Sequence, residues 1–236
     1  MKVVVAIAGL MLLAACNGGD QHNPRGVDHA ETLLSVSATG RSETRPDMAT
    51  FSAGIETFDA TGPAASAANE ERMNKLVAAL EANGVAEKDI QTQLVSISRI
   101  DYGPKRGQYQ AANQVSVRVR KVDQASASIG AATGAGANIL SGPTLSQSDP
   151  EKGKLSAYGN AYEAAKARAE AYAEAAGMRV ARVLTIRDGG AIGGPQPYYG
   201  DAMAPPPVVR TSAPPIRVGT DINEVAVTVD FALEAK

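Results

Sequence analysis

The stretch from Asp149-Pro150 to Gly177 constrains the fold of this chain most strongly. Asp149 stands where an N-cap belongs, and Pro150 fits the first helical position. An Ala- and charge-rich run follows, and Gly177 is placed to end it. Twenty-six residues at about 1.5 Å each make a rod of about 39 Å. Along one face Leu155, Tyr158, Tyr162, Ala165, Ala169, Tyr172 and Ala176 are spaced alternately three and four apart, a narrow seam. Such a seam suits either a coiled-coil partner or a flat sheet. With three Tyr and three Ala in it the sheet is preferred, because small residues allow close approach.

The remaining periodicity supplies strands. Leu34, Val36 and Ala38 alternate with polar residues, and a second strand runs through Phe51, Ala53 and Ile55. A helix is predicted from Thr61-Gly62-Pro63 to Asn83, with Met73, Leu76, Val77 and Leu80 on one stripe and Gly84 as terminator. Strands follow at Ile90–Ile100, where alternation is imperfect, and through Val115, Val117 and Val119, with the breaker-rich turn 102–107 between them. A short helix over Asp123–Ala132, a strand over Asn138–Ser146, the long helix, and strands at Val180–Arg187 and Glu224–Leu233 complete the pattern. Paired strands beside runs of helix predict an α+β fold: largely antiparallel sheets packed against two main helices, one long, and a short helix. A strand–helix–Gly–strand order around each main helix hints at a duplicated layout. Residues 189–215 hold seven of the 13 Pro and read as a Pro/Gly-rich loop, made mildly sticky by Tyr198, Tyr199 and Met203 but expected to be a solvated excursion.

Composition removes whole classes of function. A net charge of −2 argues against a nucleic-acid partner. A single Cys forbids an internal disulfide or a Cys-rich zinc site, and two His leave little for a metal centre. With aromatic residues at only 4%, the core must rest on Val, Ile, Leu and Ala.

That one Cys has a special position. Met1-Lys2 opens a 13-residue apolar run, Val3 to Ala15, too short for the roughly 20 residues of a spanning helix and typical of a secretory signal. Leu13-Ala14-Ala15-Cys16 resembles the bacterial lipobox, in which the Cys is acylated and the chain is cut before it. The alternative, a buried strand with an ordinary free Cys, leaves that placement unexplained. The reading divides the chain into a signal peptide (1–15), a tether (16–31) and a folded domain (32–236). It puts the protein on the periplasmic side of the envelope, held by lipid at Cys16, and Asn17 favours the outer membrane over the inner. His22 and His29 both fall in the polar tether and read as solvated residues rather than metal ligands.

Several segments resemble the SIMPL-domain family of bacterial envelope proteins. They are Val36-Ser37-Ala38-Thr39-Gly40 with Pro46-Asp47-Met48-Ala49; Ala78-Ala79-Leu80, Gly84-Val85 and Lys88-Asp89-Ile90-Gln91-Thr92; Tyr109 to Asn113 with Val115-Ser116-Val117; Gly136-Ala137-Asn138 with Ser141-Gly142; and Ala175-Ala176-Gly177 with Arg182-Val183. Gln108 stands where the family usually has Gly. The resemblance spans about residues 33–235 and implies an α+β fold, an envelope location, self-assembly into homo-oligomers and, for some members, a link to oxidative-stress tolerance. It carries no catalytic residues across.

No hydrolase, metalloprotease, thiol-redox or P-loop motif occurs. Gly130, Gly134 and Gly136 follow a predicted helix, whereas a dinucleotide site needs strand, loop, then helix. Asp47, Glu56, Asp89, Asp101 and Asp149 lie near element ends and read as caps or solvated turn residues. The folded part holds no His to act as a base. The expectation is a non-enzymatic, lipid-anchored envelope protein without cofactor or metal, acting through self-assembly or partner binding. A binder of a small ligand or envelope component is the alternative, ahead of an unrecognised hydrolase. No residue is nominated for ligand binding, and protein partners other than a second copy are unspecified.

Overall fold

The computed structural model describes residues 26–28, 30–193 and 215–236, and the backbone of 196–197. Cys16, His22, His29 and the Tyr198, Tyr199 and Met203 cluster lie outside the described residues. The architecture is α+β with two antiparallel sheets. One sheet is ordered β1 (Thr32–Thr44), β8 (Asp221–Ala235), β6 (Met178–Ala191), with the two-residue β7 (Gln196–Pro197) also paired to β8. The other is ordered β3 (Ile90–Arg99), β4 (Tyr109–Val119), β2 (Met48–Asp59), β5 (Ile139–Ser146). Helices α1 (Gly62–Ala82) and α2 (Ala125–Gly134) pack with the second sheet, and α3 (Pro150–Ala175) covers the first.

The duplicated layout is real, and one copy is nested inside the other. In β2-α1-β3-β4 the last strand inserts antiparallel between the first two. The order β1-α3-β6-β8 does the same, with β8 between β1 and β6. The whole first unit, with α2 and β5, lies in the connection between β1 and α3. The Pro/Gly-rich segment therefore joins β6 to β8 where the short turn 100–108 joins β3 to β4. The loop starts later than the sequence indicates, because Gly189 and Gly190 belong to β6, which bulges between Asp188 and Gly190 opposite Val227 and Ala226 of β8.

Each unit has its own core. Phe51, Ile55, Leu76, Leu80 and Val117 fill one, and Val225, Val229, Phe231 and five Ala of α3 fill the other. Burying an aliphatic or Phe side chain of this kind contributes about 1.5–3 kcal/mol. The α1 stripe holds at Met73, Leu76 and Leu80, joined by Ala65 and Asn69, while Val77 is only half-buried. Thr61 caps the start through its hydroxyl, which accepts from Ala64 N at 3.3 Å.

The face of α3 differs from the alternating seam. The buried row is Ala157, Ala161, Ala165, Ala169 and Ala173, four apart throughout, while Leu155 is 66% exposed and Tyr172 61%. Rows spaced by four run obliquely to the helix axis, and an oblique row follows a twisted sheet. A three-and-four seam suits a second helix instead. Tyr158 and Tyr162, one position along from the Ala row, pack at its margin. Small side chains bring backbone onto backbone: a Cβ at Gly40 of β1 would overlap the Ala157 carbonyl and the Ala161 nitrogen, and would stand 2.8 Å from Ala161 Cα. Asn160 and Arg168 then donate to the carbonyls of Arg41 (2.7 Å) and Ser37 (2.8 Å), so α3 straps the outer side of β1.

Asp47 joins the units at the corner between β1 and β2. Its N–H donates to Ser146 O (3.1 Å), its carbonyl accepts from Val122 N (2.9 Å), and its carboxylate accepts from Ser148 N (2.7 Å) and Ser148 Oγ (2.6 Å). The segment before β1 is also seated: Val27 is buried, and Arg182 donates to Gly26 O (3.2 Å) and Glu31 Oε2 (2.8 Å).

Two glycines give opposite expectations. Gly40→Ala must lift α3 and should cost about 1–3 kcal/mol in denaturant unfolding. Gly159→Ala, on the open side of the same helix with nothing within 4 Å of the added carbon, should gain about 0.4–1 kcal/mol. Equal stability of the two variants would contradict the packing described.

Candidate functional site

Two surface features stand out from the structural corners. The first is a cleft of about 470 Å³ at the end of α1. Asn83 closes the helix, Gly84 takes φ +86°, and Val85 drops back into the core, donating its N–H to Leu80 O at 3.2 Å. The chain then makes a 3-10 turn, Glu87–Asp89, that delivers Asp89 to β4. Asp89 is buried and accepts both arms of Arg120, Nε at 2.6 Å and Nη2 at 2.7 Å. This fork holds the Asp89 carboxyl below the usual carboxylate range, with Lys88 and Arg118 adding to the effect. Arg118, at the end of β4, and Lys121, just beyond it, line the same cleft with Gln124 and Ser128. Four cations thus face one carboxylate.

The second feature is the free edge of β3. From Gln91 to Arg99 every residue is exposed, including Leu94 (46%), Val95 (66%) and Ile97 (52%). A bulge between Thr92 and Leu94 explains the imperfect alternation. After it, Val95 and Ile97 register with Asn113 and Ala111 and, with Asn69 and Met73 of α1, line a groove of about 220 Å³. Asn69 donates to Ile55 O (2.7 Å) and Ala111 O (3.0 Å), whereas the buried Asn113 Oδ1 has no partner among the described residues.

Of the acids singled out in the sequence, Asp47 and Asp149 line one shallow cleft with Ser148 and Lys152, each held in a hydrogen bond of its own, while Glu56, Asp89 and Asp101 lie apart. Asp149 caps α3, accepting from Lys152 N at 3.0 Å, and Asp47 binds the corner. Glu56 pairs with Gln110, and its backbone N–H and C=O are bridged by the Asn138 amide at 2.7 and 2.9 Å. Asp101 lies exposed after β3. Asp89 differs from the expectation: it is an internal ion-pair anchor rather than a solvated turn residue, and an ionised, Arg-clamped carboxylate is a poor proton donor. Gly130 lies within α2, Gly134 ends it, and Gly136 takes φ +97° before β5. Among the described residues no group of three or more His, Cys, Asp or Glu could hold a metal, and no helix is long and apolar enough to cross a membrane. Neither the cleft nor the β3 groove was nominated from sequence. The one available signal was the density of Lys and Arg in 118–121.

The residues that build these features fall within a family match. A family model described as SIMPL, "Protein of unknown function (DUF541)", matches residues 34–231. The chain belongs to the SIMPL family. Similar proteins include the Uncharacterized protein YggE of Escherichia coli K12, 24% identical over 235 residues, 96% of this chain and 89% of that one. The 26 kDa periplasmic immunogenic protein of Brucella melitensis is 25% identical over 211 residues, 85% and 84% of the two chains. The SIMPL-like segments of this chain are largely structural: Gly40 meets α3, Pro46 is fully buried beside the Asp47 corner, Asp89 anchors Arg120, and Asn138 clamps Glu56.

A second buried carboxylate lies on the outer face of the β1-β8-β6 sheet. Asp230 accepts from Arg187 Nη1 and Nη2 (2.7 and 2.9 Å) and from Thr185 Oγ1 (2.7 Å). Arg187 first, then the Ser35 and Thr185 hydroxyls, bring its pKa to about 2. Both carboxyls, Asp89 and Asp230, are lowered by folding, so their stabilisation is complete above the unfolded value of about 4 and is lost as pH falls through the folded value. Denaturant stability should therefore decline between about pH 4 and about pH 2, the folded value of Asp230. In Asp230→Asn that decline should be shallower, and an identical acid limb would contradict the assignment.

Proposed function

We propose that the protein is a non-enzymatic component of the bacterial cell envelope, on the periplasmic side, that works by contact and uses the β3 edge to join a second copy of itself. The observation that carries this reading is the undefended state of β3. Sheet edges are ordinarily blunted by Lys, Pro, cover or short length. Here ten residues, Ile90–Arg99, contain no Pro and one charged residue, at the far end, and they expose Leu94, Val95 and Ile97. The bulge at Thr92/Leu94 is the one blunting device present. No side chain of the described residues bonds to the outer backbone of β3, whereas β1, also an edge, is strapped by Asn160 and Arg168. A strand added alongside would find backbone partners and an apolar row.

Ile97→Lys is the direct test. Its side chain is 52% exposed, so the fold should be kept while light scattering shifts from an oligomer to a monomer. A wild-type chain that is monomeric at high concentration, or a variant that assembles as before, would overturn the reading.

The name of the Brucella relative supports the periplasmic placement. Acylation at Cys16, with Asn17 directing the product to the outer membrane, is the proposed means of retention; two or more acyl chains anchor stably. Mass spectrometry of the membrane fraction should show a chain beginning at a lipid-bearing Cys16. A full-length product with an unmodified thiol would refute the anchor and leave the β3 proposal standing. Tolerance of envelope or oxidative stress would follow from such contact and needs no turnover.

A further inference from the structure

We infer that the cleft at the end of α1 is a binding site for a phosphate-bearing polyanion. Its charge is the reverse of the whole molecule's. The chain is net −2, yet Lys88, Arg118, Arg120 and Lys121 line this one concavity against a single carboxylate, Asp89. Asp89 is spent on Arg120. Lys88, Arg118 and Lys121 form no ion pair among the described residues; of the acids flanking the lining, Glu87 is exposed in the turn just before Lys88 and Asp123 is turned to Arg45 at 3.5 Å. Three positive charges are therefore in surplus, which matches a ligand carrying two or more negative charges better than a simple carboxylate.

The geometry agrees with the charge. Arg118, near the end of β4, and Arg120, the first residue beyond it, both line the cleft. Guanidinium groups recognise phosphate oxygens through paired N–H donors. Arg120 is already fixed by the buried Asp89, so it loses little side-chain freedom on binding. Asp89 is thus a positioning residue. Helix α2 begins at the cleft with Gln124 as its first flanking residue and no side-chain cap hydrogen bond at that end, which adds a partial positive charge. The volume, about 470 Å³, falls in the usual range for small-ligand clefts. The same chemistry could be presented by a soluble phosphorylated molecule or by a phospholipid headgroup.

The test is calorimetric titration of pyrophosphate into the full chain, beside vesicles of phosphatidylglycerol and of phosphatidylcholine. The variant Lys88→Ala/Arg118→Ala/Lys121→Ala removes exposed, unpaired side chains, and its thermal unfolding should match wild type. Arg118→Gln alone serves as a milder second variant. Pyrophosphate should bind wild type and bind the triple variant at least tenfold more weakly, while Lys75→Ala, on the exposed face of α1, changes nothing. If phosphatidylglycerol vesicles alone show the loss, the proposal holds and a headgroup is the source; an acyl anchor is common to both proteins and cancels. Ile97→Lys should leave binding intact, which separates this proposal from assembly at β3. No phosphate binding in any arm, binding that survives the triple variant, or binding of citrate without pyrophosphate would overturn it.

Discussion

The close contact between Gly40 and the Ala row of α3 is the constraint on which the remainder of the structure depends. Five Ala spaced by four give the helix an oblique, nearly flat face, and Gly40 lets backbone meet backbone beneath it. With large side chains there, α3 would stand off and Asn160 and Arg168 could not reach the β1 carbonyls. The chain between β1 and α3 must then leave and return at fixed points. The second sheet, with its own helices and core, occupies that excursion, and the hydrogen bonds of Asp47 close it at the corner.

Division into two cores determines what is left for function. Each unit buries one large Phe, Phe51 or Phe231, and each has a helix over one face. One edge of the nested unit, β3, is covered by no helix or loop of the described residues. In the outer unit α3 straps β1, and Arg182 of β6 holds Gly26 and Glu31, while Val183 and Ile186 of β6 stay exposed. Stability is concentrated in the helix-covered faces, and both proposals fall outside them, at the uncovered edge and the basic cleft.

Much of this architecture is written in local patterns. Alternating Val in 115–119 and 225–229 reports one-sided burial directly, and Gly84 and Gly177 mark helix ends because positive φ is cheap only for Gly. Three features were not legible in that way. The Ala row of α3 is hidden among other Ala, and Tyr158, Tyr162 and Tyr172 draw attention to a different line. The exposure of Val95 and Ile97 depends on the absence of a neighbouring strand, which no local pattern encodes. The cleft gathers Lys88 and Arg120 from segments 32 residues apart in number, and Asp89 resembles an ordinary turn acid until its burial beside Arg120 is seen. In each case the missing information is tertiary: which face is covered, and by what.

The claim that matters most is that β3 is an interface in the assembled protein. Amide hydrogen exchange on the full chain, compared between dilute solution and the concentrated or membrane-held state, reads that strand directly. Slowed exchange confined to 91–97, with α3 and β8 unchanged, is the result expected. Exchange at β3 that stays as fast in the concentrated state as in the dilute one would contradict it.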